Sequence, residues 1–426
     1  MENAVIAGTV FIVMYIFIVS EKIHRTIISM LGAIIMILTG ILTQEQAIHH
    51  IDFNTLGLLI GMMIIVTITS HTGLFNYIAI WAAKKANAEP VRILVYLAII
   101  TAVFSAFLDN VTTVLLMVPV TFGITSKLKV TPIPYLILQI IASNIGGTAT
   151  LIGDPPNIMI GSAVKTLTFA AFIQNLAIIS LINLAVVIFV ITLFYRKKLV
   201  TKPELQAEIM QIDEKIEIKD KKLLVKCLTV LGSTILFFFL HQILQIESSI
   251  VALTGAFILL LIAGRDHSFT ERVLGKVEWT TIFFFIGLFV AVGGLIETGI
   301  IRIIAEEGMK ITGGNVTQTS MLILWLSALA SSFLDNIPFV ATMIPLIQDM
   351  GNMGITNLDP IWWSLSLGAC LGGNGTIVGA SANLIVAGMA AERGINISFK
   401  RYFVVGFPIM LLTILLSSVY IYFRYL

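Results

Sequence analysis

The chain is poor in cysteine and in charge. Only Cys227 and Cys370 occur in 426 residues. They form no CxxC spacing, so neither a disulfide framework nor a cysteine-built zinc site is expected. Charged residues make up 12% of the chain, against about 25% in a typical soluble domain. The net charge of +2 is small and by itself says nothing of a nucleic-acid partner, and none is expected. No HExxH, GxSxG or Walker pattern is present. The glycine-rich GGTATLIG lacks the Lys-Ser/Thr ending of a phosphate loop and lies inside an apolar run. Enzyme chemistry, ATP coupling, a resident cofactor and a metal site therefore have no motif to carry them.

What the chain has is apolar length. Hydrophobic residues make up 58%, and the mean hydropathy is +0.99. The apolar blocks approach the ~20 residues that a helix needs to cross a bilayer. The fold class expected is an all-α polytopic membrane protein in the cell membrane. Ten segments read as crossings, near 4–20, 25–43, 54–70, 131–160, 172–195, 223–243, 249–264, 279–296, 359–388 and 402–423. The first, from Val5 to Ser20, has no basic n-region and no small-x-small cleavage site ahead of the next span, so it reads as a membrane helix. Two further apolar regions, 91–126 and 317–349, are interrupted in the middle by the same four residues, FLDN. Re-entrant hairpins and pairs of full spans are both compatible with that pattern.

Basic residues orient the chain. With the N-terminus outside, 22 of the 26 Lys and Arg fall in inside segments. Lys22, Arg25, Arg265 and nine residues between Arg196 and Lys226 are among them. Residues 196–226 are too polar to span and read as a partly helical cytoplasmic linker with a solvated charged face. They divide the chain into a first half, 1–195, with extra N-terminal helices, and a second half, 227–426.

The halves align at a constant shift of 226 residues. Asp109 falls on Asp335, Pro119 on Pro345, Gly153 on Gly379 and Asn157 on Asn383. Ser105–Pro119 matches its counterpart at 8 of 15 positions, and Gly146–Asn157 at 5 of 12. Each half has five crossings and one interrupted region. An odd number of crossings turns the second half over in the membrane. Inverted repeats with broken helices are the architecture of secondary transporters.

Four stretches hold nearly all the polarity inside these spans: SAFLDNVTTV, ASNIGGTATLIGDPPN, SSFLDNIPFV and GGNGTIVGASAN. Gly, Pro and Asn interrupt 131–160 and 359–388, which is tolerated only beside protein or a watery cavity. The candidate solute- and ion-binding residues are Asp109, Asn110, Thr112, Asn144, Thr148, Asp154, Asn157, Asp335, Asn336, Asn374, Thr376 and Asn383. A carboxylate at bilayer depth costs about 2.5–3.5 kcal/mol on insertion scales, which marks Asp109 and Asp335 as proton or cation carriers. Each also suits the N-cap of the helix that follows it. Asp154 has no acidic counterpart, because Ala380 fills that slot; it reads as a third titrating group or as a turn-forming residue. Glu297 and His71 align with each other and read as interfacial.

At SAFLDNVTTVLLMVP, SNIGGTATLIGDPPN, SSFLDNIPFVATMIP and GASAN the sequence resembles the ion transporter superfamily. It is most similar to the group of arsenite permeases (ArsB-type), the P protein and NhaD-type sodium/proton antiporters. The resemblance runs from about residue 25 to the end. It implies two re-entrant hairpins with FLDN at their tips, two broken helices and a scaffold through which two copies pair. It also implies that the tip and broken-helix Asn residues line the site. Dicarboxylate-carrying relatives have neutral Ser-Asn-Thr tips, whereas this chain places Asp beside Asn at both.

These acids favour a neutral solute or a cation exchanging with protons. The leading expectation is proton-coupled export of a small inorganic solute or oxyacid such as arsenite. A sodium/proton antiporter, or a carrier of another small anion, is the alternative; a channel or a non-transporting scaffold is the reading from another class. The coupling ion is H+ or Na+, and the partners are the solute, the lipid bilayer and a second copy.

Overall fold

A computed structural model describes residues 2–20, 22–264 and 267–426, without the side chain of His267. Arg265, counted above among the inside charges, lies outside the described residues. The described residues form helices and connecting turns, with no strand. Nine of those helices are long and apolar enough to cross a membrane. Backbone N–H and C=O groups have no water to bond in hydrocarbon, so a chain this apolar must satisfy them within helices.

The expected crossings appear as helices Glu2–Ser20, Arg25–Leu38, Phe53–Ser70, Phe169–Tyr195, Lys221–Leu240, Ser248–Ala263, Trp279–Glu297 and Phe399–Tyr425, plus two broken ones. The interrupted regions form hairpins. The first joins Pro90–Phe107 to Asn110–Leu128, and the second joins Val316–Phe333 to Asn336–Asn352. In each, one Leu adopts an extended backbone that ends the incoming helix: Leu108 at φ −121°, ψ 159° and Leu334 at φ −120°, ψ 148°. The next residue is the Asp, whose side chain accepts from the first backbone N–H groups of the outgoing helix.

The broken helices are Ile133–Thr148 with Pro155–Ala163, and Asp359–Gly372 with Ser381–Ala391. Each hairpin packs against the broken helix that follows it. Glycine permits the approach. A Cβ on Gly146 would strike the carbonyl oxygen of Ala102, and one on the aligned Gly372 would lie 2.6 Å from that of Ala328. Membrane helices gain little from apolar burial against lipid, so close backbone contact supplies much of their association.

The two halves interlock. Helix Arg25–Leu38 packs on Trp279–Glu297 of the other half, and Ser248–Ala263 packs on Phe53–Ser70. The outgoing arm of each hairpin touches the second piece of the opposite broken helix. The halves thus meet along a seam, with both tips and both breaks on it. Helices Leu74–Lys85 and Ile300–Thr312 were not expected as elements; each lies against the outgoing arm of its own hairpin.

The linker is less free than its charge suggests. It carries a helix, Pro203–Met210, and a short turn, Glu214–Glu217, and buries Leu199 and Ile209. Lys84 Nζ donates to the Ile212 carbonyl at 2.9 Å and to Glu214 Oε2 at 2.5 Å. Lys219 N–H donates to the Thr72 carbonyl at 3.0 Å, and Asn76 Nδ2 to Glu217 Oε2 at 3.1 Å. The expected solvated face therefore holds only in part. Its isolated apolar residues carry no periodicity, so their docking leaves little trace in sequence.

Candidate functional site

The two breaks are built alike. Ser105 Oγ donates to the Ser143 carbonyl at 2.7 Å, and the aligned Ser331 Oγ donates to that of Ala369 at 2.6 Å. Thr150 Oγ1 donates to the Ala106 carbonyl, as Thr376 Oγ1 does to that of Ser332 at 2.5 Å. Asn157 Nδ2 spans its own break to the Thr148 and Thr150 carbonyls at 3.2 and 2.9 Å. Asn383 Nδ2 does the same to Gly373 and Thr376 at 2.7 and 2.9 Å. These bonds satisfy carbonyls that the unwound segments leave open. Thr148 returns its hydroxyl to the Asn144 carbonyl of its own helix at 2.7 Å. Thr148, Thr376 and the donor groups of Asn157 and Asn383 therefore hold the frame.

Across the seam runs one buried network. Asn110 Nδ2, from the first hairpin tip, donates to Asn144 Oδ1 at 3.2 Å. Asn144 Nδ2 donates to Asn374 Oδ1 and Asn383 Oδ1 at 3.0 and 3.1 Å. Asp154 Oδ1 faces both tips: Asn110 Nδ2 lies at 3.5 Å and Asn336 Nδ2 at 3.4 Å, long contacts at the edge of hydrogen-bond range. Ser366 Oγ and Cys370 Sγ reach Asn157 Oδ1 at 2.5 and 3.5 Å. Asn374 Nδ2 has no hydrogen-bond partner among the described residues, and Asp154 Oδ2 has none of good geometry, although the Cys370 thiol faces that carboxylate. Asp154 is 1% exposed and Asn374 0%. Buried polar atoms are almost always paired, so Asn374 Nδ2 can donate to, and Asp154 Oδ2 accept from, one further group.

The tip acids differ. Asp109 Oδ1 accepts from Thr112 N–H at 2.8 Å and Oδ2 from Thr112 Oγ1 at 2.5 Å. Asp335 Oδ1 accepts from Ile337 N–H at 3.1 Å, while Oδ2 takes Arg25 Nη1 at 2.6 Å and Ser381 Oγ at 3.1 Å. Both acids are thus helix caps, and one also has a counter-cation. Pro338 stands where the first hairpin has Thr112. Among the expected site residues, Asn110, Asn144, Asp154, Asn336, Asn374 and Asn383 share one network, to which Asn157 is joined through the Cys370 thiol. Asp109, Thr112 and Asp335 lie at its edge.

Two cavities reach these residues. A narrow one of about 20 Å³ is lined by Asp109, Asn110, Asp154, Asn336 and also Arg25 and Glu278. That volume admits about one water-sized species. A wider vestibule of about 290 Å³ is lined by Tyr15, His24, Arg25, Asp335 and Ser381. No group of three or more His, Cys, Asp or Glu forms a metal centre among the described residues. Sequence reading missed Arg25, Glu278, Ser366 and Ser381. The Thr150/Thr376 pair was legible in the repeat, since both are Thr in register. Of the residues read as interfacial, Glu297 Oε1 meets His50 Nε2 at 3.1 Å. His71, half-buried at a helix end, has its basicity lowered by burial first and then by Lys276, Arg272 and Lys219.

The comparisons with known proteins agree with this architecture. The citrate transporter (CitMHS) family model matches residues 15–368. An uncharacterized transporter of Mycobacterium bovis is 40% identical over 428 residues, covering 99% of both chains. The P protein of Mus musculus is 34% identical over 500 residues, covering 98% of this chain and 59% of the mouse protein. The crystal structure of the Alcanivorax borkumensis YdaH transporter, reported to have an unusual topology, superposes with a TM-score of 0.58. It covers 88% of this chain and 86% of its own at 14% identity, a likeness of fold. The chain therefore belongs to the citrate transporter family and is a multi-pass membrane transporter of the same type as the P protein.

Proposed function

We propose that the protein is a proton-coupled secondary transporter of the cell membrane that exports a small, uncharged inorganic oxyacid, arsenous acid being the representative solute. The observation that carries this reading is Asp154. One buried carboxylate faces an Asn from each hairpin tip and the Cys370 thiol, and its second oxygen is free to take a proton. It sits where the inverted halves meet, so a proton on it is sensed by both. Intramembrane carboxylates in such places serve proton relays.

The amides around it offer donors and acceptors together, which suits a solute bearing hydroxyls. Cys370 is in the network and Cys227 lies elsewhere, so three-thiolate coordination is not available to arsenite. A multivalent anion such as the citrate of the family's name meets Asp109, Asp154, Asp335 and Glu278, with Arg25 as the one Lys or Arg among the described residues lining the same two cavities. Like charges at such range repel strongly in a low dielectric. The bias of basic residues puts the link between the first two helices, and so the vestibule, on the cytoplasmic side.

A second reading has its own support. The narrow cavity of about 20 Å³ fits a bare sodium ion among carboxylate and amide oxygens better than it fits an oxyacid. Reconstitution separates the two. In liposomes with an imposed pH gradient, arsenite-dependent proton flux is expected. Flux driven by sodium and indifferent to arsenite selects sodium/proton antiport. Flux with neither removes both readings.

A further inference from the structure

The fold contains the same helix joint twice, and the two ends are finished differently. Helix Phe169–Tyr195 of the first half packs on Phe399–Tyr425 of the second. Tyr420 meets Asn175 at one end, Asn183 Nδ2 meets Ser417 Oγ at 3.4 Å midway, and Arg401 lies by Tyr195 at the other, so the pair is antiparallel. The two helices also correspond in the repeat. At the shift of 226 residues, Gln174 falls on Lys400, Asn175 on Arg401 and Lys198 on Arg424. The residues that meet at one end therefore have their counterparts meeting at the other. At the first end the protein supplies every partner. Arg424 Nη2 donates to the Gln174 carbonyl at 2.9 Å. Tyr425 Oη donates to Asn175 Oδ1 and Tyr420 Oη to the Asn175 carbonyl, both at 2.6 Å.

At the second end cations replace those acceptors. Lys198 takes the place of Arg424, and Lys400 and Arg401 take the places of Gln174 and Asn175. Lys198 Nζ lies 5.8 Å from the centroid of the Tyr195 ring, and the charge of Arg401 reaches the hydroxyl of the same tyrosine. Arg196 and Lys197 adjoin them in the chain. All five side chains are exposed, and no ion pair among the described residues takes any of them. Like charges gathered at one place repel, and a bound anion relieves that. The surroundings indicate which kind of anion. Val404 shares a helix face with Lys400 and Arg401, three and four residues away, and is exposed. Phe194 is exposed on the last turn of the facing helix. Cations above exposed apolar side chains match a phosphate headgroup above its acyl chains. The bias of basic residues assigns this end to the cytoplasmic leaflet, and basic clusters between membrane helices on that side suit anionic headgroups.

We propose that this end of the joint binds the headgroup of an anionic phospholipid, which bridges the two helices where Arg424 and its protein acceptors bridge them at the opposite end. The phosphate oxygens accept from Lys198, Lys400 and Arg401, and Arg196 and Lys197 add to the field around them. Helix Phe399–Tyr425 packs on the first piece of the second broken helix, and Phe169–Tyr195 on the first piece of the first. The headgroup therefore ties together the supports of both breaks. The site is separate from the buried amide network and holds whichever solute the protein carries.

The test titrates purified protein in neutral-detergent micelles with phosphatidylglycerol or phosphatidylcholine and counts bound lipid by native mass spectrometry. Wild type is expected to prefer phosphatidylglycerol by roughly 100-fold, from three cations at about fivefold each near an anionic lipid. Lys198→Gln/Arg401→Gln is expected to keep only about fivefold, the share of one cation. Lys198→Arg/Arg401→Lys retains both charges and should retain the preference. Lys221→Gln/Lys222→Gln removes the same charge from the start of another helix and should leave the preference intact. Lys400→Gln/Arg401→Asn copies the first end onto the second and gives Lys198 acceptors of its own. It is expected to lose the preference and to melt, without added lipid, where wild type melts with phosphatidylglycerol. Equal binding of the two lipids by wild type overturns the proposal. Equal losses in the two Gln pairs also overturn it, because they show a diffuse field in place of a site. So does a wild-type preference in Lys400→Gln/Arg401→Asn. Displacement of phosphatidylglycerol by inorganic phosphate at the same concentration assigns the site to a free anion and overturns the lipid reading.

Discussion

Replacing Asn144 with Ala tests whether the seam is held by its amide network. The substitution deletes three side-chain hydrogen bonds, to Asn110, Asn374 and Asn383. Bonds of this kind in membrane proteins average about 0.6 kcal/mol each, with a maximum near 1.7. Three give roughly 2 kcal/mol. The change also strands Asn374 Oδ1 and Asn383 Oδ1, and an unsatisfied buried acceptor costs about 1–3 kcal/mol where no water enters. The narrow cavity of about 20 Å³ close by admits a water to relieve part of that. The net expectation is a loss of about 3 kcal/mol. Thr148→Val is the matched control, one turn further along the same helix. Its hydroxyl bonds to the Asn144 carbonyl of its own helix and meets the weakly hydrogen-bonding Cys370 thiol, so a loss under about 1 kcal/mol is expected. Equilibrium unfolding in mixed micelles, read by tryptophan fluorescence, measures both; Trp362 and Trp363 are buried in the second broken helix. A loss below about 0.5 kcal/mol for Asn144→Ala, or equal losses for the two variants, would refute the claim that this residue ties the halves together.

Two further outcomes follow from local geometry. Gly73 and Gly299 are twins with φ of 82° and 76°, but a Cβ on Gly73 would strike the Glu217 carbonyl oxygen of the linker while one on Gly299 meets nothing within 4 Å. Both Ala variants bear the backbone cost of about 1–2 kcal/mol, but only Gly73→Ala should also undock the linker, so limited trypsin digestion should cut 196–226 faster in that variant alone. Thr113 Oγ1 is buried with no partner; Thr113→Val should leave stability unchanged or raise it by up to about 1 kcal/mol, and a loss above about 1 kcal/mol in the same micelle assay would show that the hydroxyl has a partner in the membrane.

Much of this fold was legible because apolar length and polar punctuation are one-dimensional signals. The crossings, both interrupted regions and both breaks follow from runs of Ile, Leu, Val and Phe stopped by FLDN, Gly pairs and Pro155-Pro156. The constant register made the symmetry readable, and Asn157 and Asn383 indeed do the same job at the same place. Partnerships across the seam were not legible. Asn144 aligns with Cys370, so the repeat gave no hint that its amide would bridge to Asn374 and Asn383. Arg25 entered only as one basic residue among many, yet it meets Asp335 from 310 positions away. Breaks in symmetry carry the difference: Pro338 for Thr112, Val251 for Arg25 and Ala380 for Asp154. A repeat search rewards matches, whereas here the mismatches separate a paired acid from an unpaired one.

Asp154→Asn in liposomes tests the central claim most directly. The amide keeps an oxygen for Asn110 and Asn336 and removes only the charge and the titratable site. Losing a buried charge offsets weaker bonds, so the variant should fold with a stability within about 2 kcal/mol of wild type. With a pH gradient imposed and arsenite or sodium supplied, the account predicts that solute-dependent proton flux falls to the level of empty liposomes. Wild-type proton flux in a folded Asp154→Asn protein would contradict it.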